Sequence, residues 1–507
     1  MTANPLDIFA GFVTLGSDPL ALAMVLAGAL FGVVVGAIPG LTTAAAIAIV
    51  LPITFYMEPL AGLVLLYVIG KAGRYGGSIA AILFNTPGTS AAAATQIDGH
   101  PLALQGKAGK AIKVGTFSSA CGDLFGDMLL ICFSALIASW TLRLGPPEYF
   151  AIYMMAFVVI GSVVSESVLK GLLSAVFGIL IALIGLDFIS GANRMTFGVT
   201  DLMGGLTLVP VLIGVFVVSE VLVQAETHAG KGRRLTIAPM PKSASDRNLE
   251  REDIRRIAPV VMRSSVYGSV IGMLPGLGSA VACFVAYGEE RRRAKRPELW
   301  GKGAIEGVAA PEAANNAVSG PAMIPLLTLG IPGSTVGAMM MGVFLIHGIQ
   351  VGPTIFTQSG EIIYALFAAG LLGILCYAVI GWNLSGLVGK MIAILPPRLI
   401  YPTVLMIGFL ATYSVRTSLF DVGVSVVFGL VGYVMRRYGF SPAAFVISFI
   451  LAPGAEQALR QSLRMSGDDL GIFFTRPIAL VFFGIGLFAF FARSVPWRRL
   501  LGRERAA

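Results

Sequence analysis

Of 507 residues, 36 are Lys or Arg and 27 are Asp or Glu, so 12% of the chain is charged and 56% is hydrophobic, against about 25% charged in an ordinary soluble domain. That composition excludes a soluble enzyme and makes lipid the expected solvent, in keeping with a mean hydropathy of +0.84. The net charge of +9 does not point to nucleic acid, because Lys and Arg fall in short loops between apolar runs, where cytoplasmic retention of basic loops accounts for them.

Residues 1–70 hold no Lys or Arg, and a cleavable signal needs a basic region ahead of its apolar core; the first apolar stretch is therefore expected to be a membrane segment. Apolar runs follow at 19–38, 41–55, 59–70, 77–95, 111–140, 149–165, 168–189 and 202–225, each long enough to enter or cross a hydrocarbon core of about 30 Å. Residues 226–258 carry Lys231, Arg233, Arg234, Lys242, Arg247, Arg251, Arg255 and Arg256 among acids, Ser and Pro, the composition of a solvated linker. Runs resume at 259–287, 317–350, 361–389, 399–415, 418–435, 440–453 and 477–492. The expected fold is an all-α polytopic membrane protein of about eleven to thirteen segments, with a first membrane repeat over 1–225, a linker over 226–258 and a second repeat over 259–507. Cys121, Cys132, Cys283 and Cys376 form no Cys-x-x-Cys pair, so neither a disulfide framework nor a zinc or iron–sulfur site is expected.

The halves share a motif. Gly32-x3-Gly36-x2-Pro39-Gly40-Leu41 returns 236 residues later (268 − 32) as Gly268-x3-Gly272-x2-Pro275-Gly276-Leu277, and Pro87-Gly88-Thr89 returns 245 residues later (332 − 87) as Pro332-Gly333-Ser334. Each second break leads to a polar–Gly step, Asp98-Gly99 and His347-Gly348. One Pro-Gly in a membrane helix is an ordinary kink, but two kinds of break in the same order read as an internal repeat. The basic flanks exchange sides. Pro39 has no basic neighbour while Pro275 lies between Arg263 and Arg291; Pro87 is followed by Lys107, Lys110 and Lys113, while 303–389 hold no Lys or Arg. Basic loops stay cytoplasmic, which favours an inverted repeat over a parallel duplication with accidental charge bias.

Backbone groups freed at a break are costly in hydrocarbon, so such breaks line a cavity whose water, ions or solute complete the hydrogen bonds. The breaks at Pro39-Gly40, Pro87, Pro275-Gly276 and Pro332 therefore define the candidate site. Its substrate-binding residues are expected among Thr42, Thr43, Asn85, Thr86, Gly88, Thr89, Ser90, Gly278, Ser279, Asn315, Asn316, Ser319, Gly333, Ser334 and Thr335. Helices restarting after each break present free N–H groups to a carboxylate or phosphate. Half-helix C-termini present carbonyls to a hard cation such as Na⁺; no side-chain pattern specifies a metal site. Single hydroxyls in membrane helices also back-bond or permit close packing, so the clusters around Asn85 and around Asn315-Asn316 lead. Lys71 and Arg74 either meet an anionic solute, snorkel to an interface or pair with Glu58. Asp123 and Asp127, one turn apart, read as ion ligands or as polar packing, and Glu312 beside Asn315 is no clearer. His347 reads as the cap of a hairpin end before a proton relay. Arg436, Arg437 and the tail from Arg493 to Arg505 read as cytoplasmic anchors.

Gly36-Ala-Ile-Pro39-Gly40-Leu41, Gly76-Gly77-Ser78, Asn85-Thr-Pro87-Gly88-Thr89, Asp98-Gly99-His-Pro101-Leu, Leu274-Pro275-Gly276-Leu277-Gly278 and His347-Gly348 resemble the large membrane subunit of the tripartite tricarboxylate transporters, in order and over nearly the whole chain. That resemblance implies a bacterial inner-membrane secondary carrier working with a small membrane subunit and a periplasmic solute-binding protein, without a cofactor. It imports citrate or another tricarboxylate, a dicarboxylate or an aromatic acid with Na⁺ or H⁺. Thr42 stands where the second repeat has Gly278, which leaves the ligand set at that break open.

The chain has no G-x-x-x-x-G-K-[ST] run, so gradient-driven transport is expected rather than a nucleotide-driven pump. The expected mechanism is alternating access, with the broken segments moving against a scaffold as an elevator or by rocking. The alternatives are an anion-selective channel, which needs a continuous polar lining, and an intramembrane hydrolase using Ser319 and His347.

Overall fold

The computed structural model describes residues 4–163, 167–187, 190–228, 244–394 and 397–494. They are helical almost throughout. In chain order the helices are α1 Ile8–Ser17, α2 Pro19–Gly36, α3 Thr43–Val50, α4 Pro59–Phe84, α5 Ala92–Leu102, α6 Ala108–Thr141, α7 Pro146–Val163, α8 Val168–Ala182, α9 Leu208–Leu212 and α10 Ser219–His228 in the first half. The second half has α11 Ala244–Arg247, α12 Arg251–Met273, α13 Gly278–Arg293, α14 Ile305–Ala317, α15 Met323–Leu329, α16 Thr335–Ile346, α17 Ile355–Gln358, α18 Gly360–Ile394, α19 Pro397–Arg416, α20 Leu419–Arg437, α21 Pro442–Ser466, α22 Ile472–Thr475 and α23 Pro477–Ser494. A two-residue ladder, β1 Gly185–Leu186 with β2 Asn193–Arg194, is antiparallel. Among the described residues seven helical stretches are long and apolar enough to cross a membrane, and shorter apolar helices such as 43–56 and 335–346 accompany them. The chain is an all-α polytopic membrane protein.

The helix at the centre is the one composition disguises. Lys71 and Arg74 end the apolar run at 59–70, yet α4 continues through both for 26 residues and stops at Asn85, so the separate runs at 59–70 and 77–95 are corrected to one helix and the break that follows it. Lys and Arg are good helix formers, and no Pro interrupts the stretch after Pro59. Every residue from Leu60 to Phe84 is buried: α4 is walled by protein on all sides, so its charges are answered by side chains rather than by an interface.

Small residues allow that packing. A Cβ on Gly32 of α2 would strike Ala72, Gly73 and the Ile69 carbonyl of α4, and one on Gly36 the Gly73 carbonyl; in the second half, Gly268 meets the Ala314 carbonyl and Gly272 the Val318 carbonyl. Residues 69 and 73 lie 245 before 314 and 318, so both halves use the same backbone-to-backbone approaches. The breaks meet in the same way, Gly88 on the Gly36 carbonyl and Gly333 near the Gly272 carbonyl. The Gly276 amide also donates to the Gly333 carbonyl at 3.1 Å.

The two central helices cross antiparallel: Ser78 pairs with Glu312, Arg74 with Asn315, and Gly70 lies against Val336 while Ser319 shares its pocket. As numbers fall along α4 they rise along α14 and beyond. Outer helices cover the Pro-Gly turns. Tyr401 of α19 donates to the Pro39 carbonyl at 3.2 Å, Gly40 abuts Gln224 of α10, and Gly276 abuts Ile160 of α7. Ion pairs gather where α6, α12 and α14 begin and α13 ends: Lys110 pairs with Asp253 at 2.8 Å, Arg263 with Glu290 at 2.5 Å, and Arg256 with Glu306; others lie elsewhere, as Arg460 with Asp187 and Arg416 with Asp421. Arg436 with Glu220 and Arg437 with Glu226 flank the start of the linker. Within the linker α12 begins at Arg251; residues 229–243 and the tail beyond 494 lie outside the described residues.

Candidate solute site where the two halves cross

Tyr67, Gly70 and Arg74 of α4 face Ser319, Ala322, Met323, Ser334, Val336 and Gly337 across a narrow pocket. The second-half wall exists because the chain breaks twice. Ser319-Gly320-Pro321 form a turn between α14 and α15, where Pro321 has no N–H to continue a helix. Gly330 then ends α15 at φ 70° and Pro332-Gly333 leads to α16, which Ser334 caps by accepting from the Gly337 amide at 3.1 Å. The first half ends α4 equivalently, with Asn85 at φ 56°, 245 residues before Gly330. Asn tolerates that left-handed conformation better than most residues.

The candidate residues divide by position. Ser319 and Ser334 line the pocket with Arg74. Asn315 is 1% exposed, its carbonyl accepting from Arg74 while neither atom of its amide finds a partner. Asn316 donates to the Glu312 carbonyl at 3.1 Å, leaving its own side-chain oxygen without a partner. Thr43 is buried against Gly73 of α4 with its hydroxyl unpartnered, and Thr42 caps α3 through the Ala45 amide at 3.2 Å. Thr335 opens α16. The other residues sit away from the pocket lining. Asn85 and Ser90 are exposed, the Asn85 side chain accepting from Gln96 at 2.6 Å. Thr89 packs on Gly77 and accepts from the Ala92 amide, Thr86 has a buried, unpartnered hydroxyl, and Gly278-Ser279 open α13 with Gly278 at φ 68°.

The ionisable groups sort sharply. Lys71 is fully buried, with Nζ 2.6 Å from Asp123 Oδ1 and 2.8 Å from Asp127 Oδ1, so neither an interface nor Glu58 holds it. Arg74 is 8% exposed and donates to the Asn315 carbonyl at 3.4 Å, with no ion pair among the described residues. Glu312 accepts from Ser78 at 2.5 Å, Ser119 at 2.8 Å and Thr95. Asp98 and His347 are not local equivalents: α5 runs through Asp98-Gly99, whereas α16 ends before His347. Asp98 Oδ1 accepts from the Gly301, Gly303 and Ala304 amides at 2.8–2.9 Å, while His347 caps α16 near Gly62 and Thr54. Ser319 shares the pocket with Ser334 at one end of α16 and His347 sits at the other, about 18 Å along twelve helical residues, so the two do not form a nucleophile–base pair. The sequence weighed Arg74 without singling it out; its signal was a Gly-Lys-Ala-Gly-Arg stretch, 70–74, inside an otherwise helical run.

The tripartite tricarboxylate transporter TctA family model matches residues 22–447. The chain belongs to that family. It is 37% identical over 477 residues, covering 94% of this chain and 93% of the relative, to the "Uncharacterized 52.8 kDa protein in TAR-I ttuC' 3'region" of Agrobacterium vitis. It is 40% identical over 220 residues, 43% of this chain and 90% of the relative, to the "Uncharacterized protein in TAR-II ttuC' 3'region" of the same organism. No solved structure matches. As a TctA-family member the chain is a transporter component rather than an enzyme, and the pocket at Arg74 lies inside the matched region.

Proposed function

We propose that this chain is the large transmembrane subunit of a binding-protein-dependent secondary transporter, and that it carries an organic carboxylate through the pocket at Arg74. One observation carries the reading: a buried guanidinium with no carboxylate partner opens into a pocket built from helix breaks. A buried cation without a counter-ion is costly, and guanidinium matches a carboxylate with two parallel hydrogen bonds. Ser319, the Asn315 amide and the start of α16 complete an anion-binding set.

The repeated glycine contacts and the antiparallel crossing of α4 with α14 support an inverted repeat, the arrangement suited to alternating access. The broken helices α3 and α16 also touch the outer helices, α3 against α19 and α16 against α21, which supports their moving against a scaffold as an elevator. The clustering of Lys110, Arg256, Arg263 and Arg436 near the linker supports a cytoplasmic linker and C-terminus in a bacterial inner membrane. The small membrane subunit and the periplasmic solute-binding protein are the partners in this reading. A narrow pocket between protein-walled helices supports a carrier over an anion channel.

The test is uptake of labelled citrate, malate and benzoate by proteoliposomes holding all three proteins. Arg74→Ala is expected to lower uptake of the transported acid at least about 100-fold, the size of losing a buried charge-assisted contact. Ser334→Ala should lower it less, with both variants inserted normally. Unchanged uptake by Arg74→Ala removes the site.

A further inference from the structure

Behind the Tyr67 wall of the pocket lies a second buried polar cluster. Lys71 of α4 holds Asp123 and Asp127 of α6 on one ammonium, with both Asp side chains at most 2% exposed. Tyr377 of α18 donates to Asp123 Oδ2 at 3.2 Å and Tyr67 to Asp127 Oδ1 at 3.4 Å. Asp127 Oδ2 has no partner; it faces Gly370 of α18, and Gly320 of the turn before α15 lies against Oδ1. The charged and titratable groups facing this centre are thus Lys71, Tyr67 and Arg74 from α4, Asp123 from α6 and Tyr377 from α18. Glu312 of α14 is met by three hydroxyls of its own.

Two carboxylates on one ammonium leave one negative charge without a direct counter-ion. Arg74, one turn from Lys71 on the same helix, is the nearest group able to offset it. A solute carboxylate bound to Arg74 takes that compensation away and leaves the second Asp charge uncompensated in a protein-walled interior, which is strongly unfavourable. The remedy is one added positive charge. The ammonium already fills the space between the two carboxylates, so a hard cation, which wants a cage of several oxygens, finds Asp127 Oδ2 as the one free oxygen among the carboxylates of this centre. A proton needs no more than that oxygen.

We infer that Asp127, held by Lys71 and Asp123, is the coupling site and takes up one proton for each solute carboxylate seated at Arg74. This deepens and rests on the carboxylate reading of the pocket. The proton comes from water reaching the pocket and forms an O–H bond at Asp127 Oδ2, with no change of oxidation state. Tyr67, which lines the pocket and donates to Asp127, joins the two sites. Release of the solute restores Arg74 as counter-charge and the proton leaves.

The test measures binding and proton uptake by the purified three-protein complex in weakly buffered solution. Citrate, malate and benzoate are the probes, between roughly pH 7 and 9 where carboxyls of malate and benzoate are fully ionised. The expected result is one proton taken up per bound acid and an apparent affinity that falls about tenfold per pH unit once the site has titrated. Asp127→Asn, a permanent mimic of the protonated form, should bind at every pH with the affinity the wild type reaches only toward acid, and Asp127→Glu should shift the midpoint. Binding in the wild type that is independent of pH, or that requires Na⁺ in its place, overturns the proton site and leaves the carboxylate pocket standing. A pH dependence unaltered in Asp127→Asn, or an unshifted midpoint in Asp127→Glu should the Asn variant fail to assemble, overturns it equally. Failure of every probe to bind removes the pocket reading, and the proton site with it.

Discussion

Lys71 and Arg74 lie one turn apart on α4, yet Lys71 Nζ is 2.6 Å from Asp123 and 2.8 Å from Asp127 while Arg74 reaches only the Asn315 carbonyl, at 3.4 Å. Their removal should therefore have different signatures. Lys71→Met strands two buried carboxylates and is expected to cost about 3–5 kcal/mol of stability. Arg74→Met breaks no direct ion pair and should cost clearly less stability than Lys71→Met, while abolishing uptake. Thermal unfolding in detergent, read beside transport, separates the two.

The glycine contacts of α2 and α12 make a paired prediction. Gly32→Leu drives a side chain into α4 and Gly268→Leu drives one into α14 at the equivalent place, so each should cost at least about 1–3 kcal/mol from overpacking. Comparable falls in midpoint are the expected result; a destabilised Gly32→Leu beside a neutral Gly268→Leu would contradict equivalent packing.

Glu312 ties three first-half helices to α14 through Ser78, Thr95 and Ser119. Glu312→Ala leaves three buried hydroxyls without their acceptor, an expected loss on the order of 3 kcal/mol. Glu312→Gln keeps an acceptor oxygen and should lose less. The ordering Glu, Gln, Ala in thermal midpoint is the check.

Asp98 accepts from the Gly301, Gly303 and Ala304 amides and from the Tyr287 hydroxyl at 2.8 Å, bracing the entry to α14 from the other half of the chain. Asp98→Ala should raise hydrogen exchange at residues 301–304 and cost about 1–3 kcal/mol, with no direct effect on solute affinity.

The Pro-Gly breaks and their spacing were legible in the sequence because Pro and Gly act locally, through a missing donor and a permitted φ. The helical class was legible because it follows from composition. The centre of the site was less so. Lys71 and Arg74 lower the hydropathy of α4, and only the carboxylates of α6, about fifty residues away, make their burial tolerable; nothing local announces such a partner. Asn85 looked like a ligand because an amide in an apolar run needs partners, and it has them, in Gln96 at the helix end. The turn at Ser319-Gly320-Pro321 carried its signal in Pro321, but it has no counterpart in the unbroken α4 and so no echo in the repeat.

The burial of α4 on every side bears on how the chain enters the bilayer. When α4 leaves the ribosome, Asp123 and Asp127 have not been synthesised, and two cationic side chains near the middle of a helix carry an insertion penalty of a few kcal/mol each. Lasting residence of α4 in the bilayer should thus wait for α6, a dependence of early on later synthesis. Nascent chains truncated before residue 123 should leave α4 accessible to aqueous labelling, and chains extended past residue 141 should shield it.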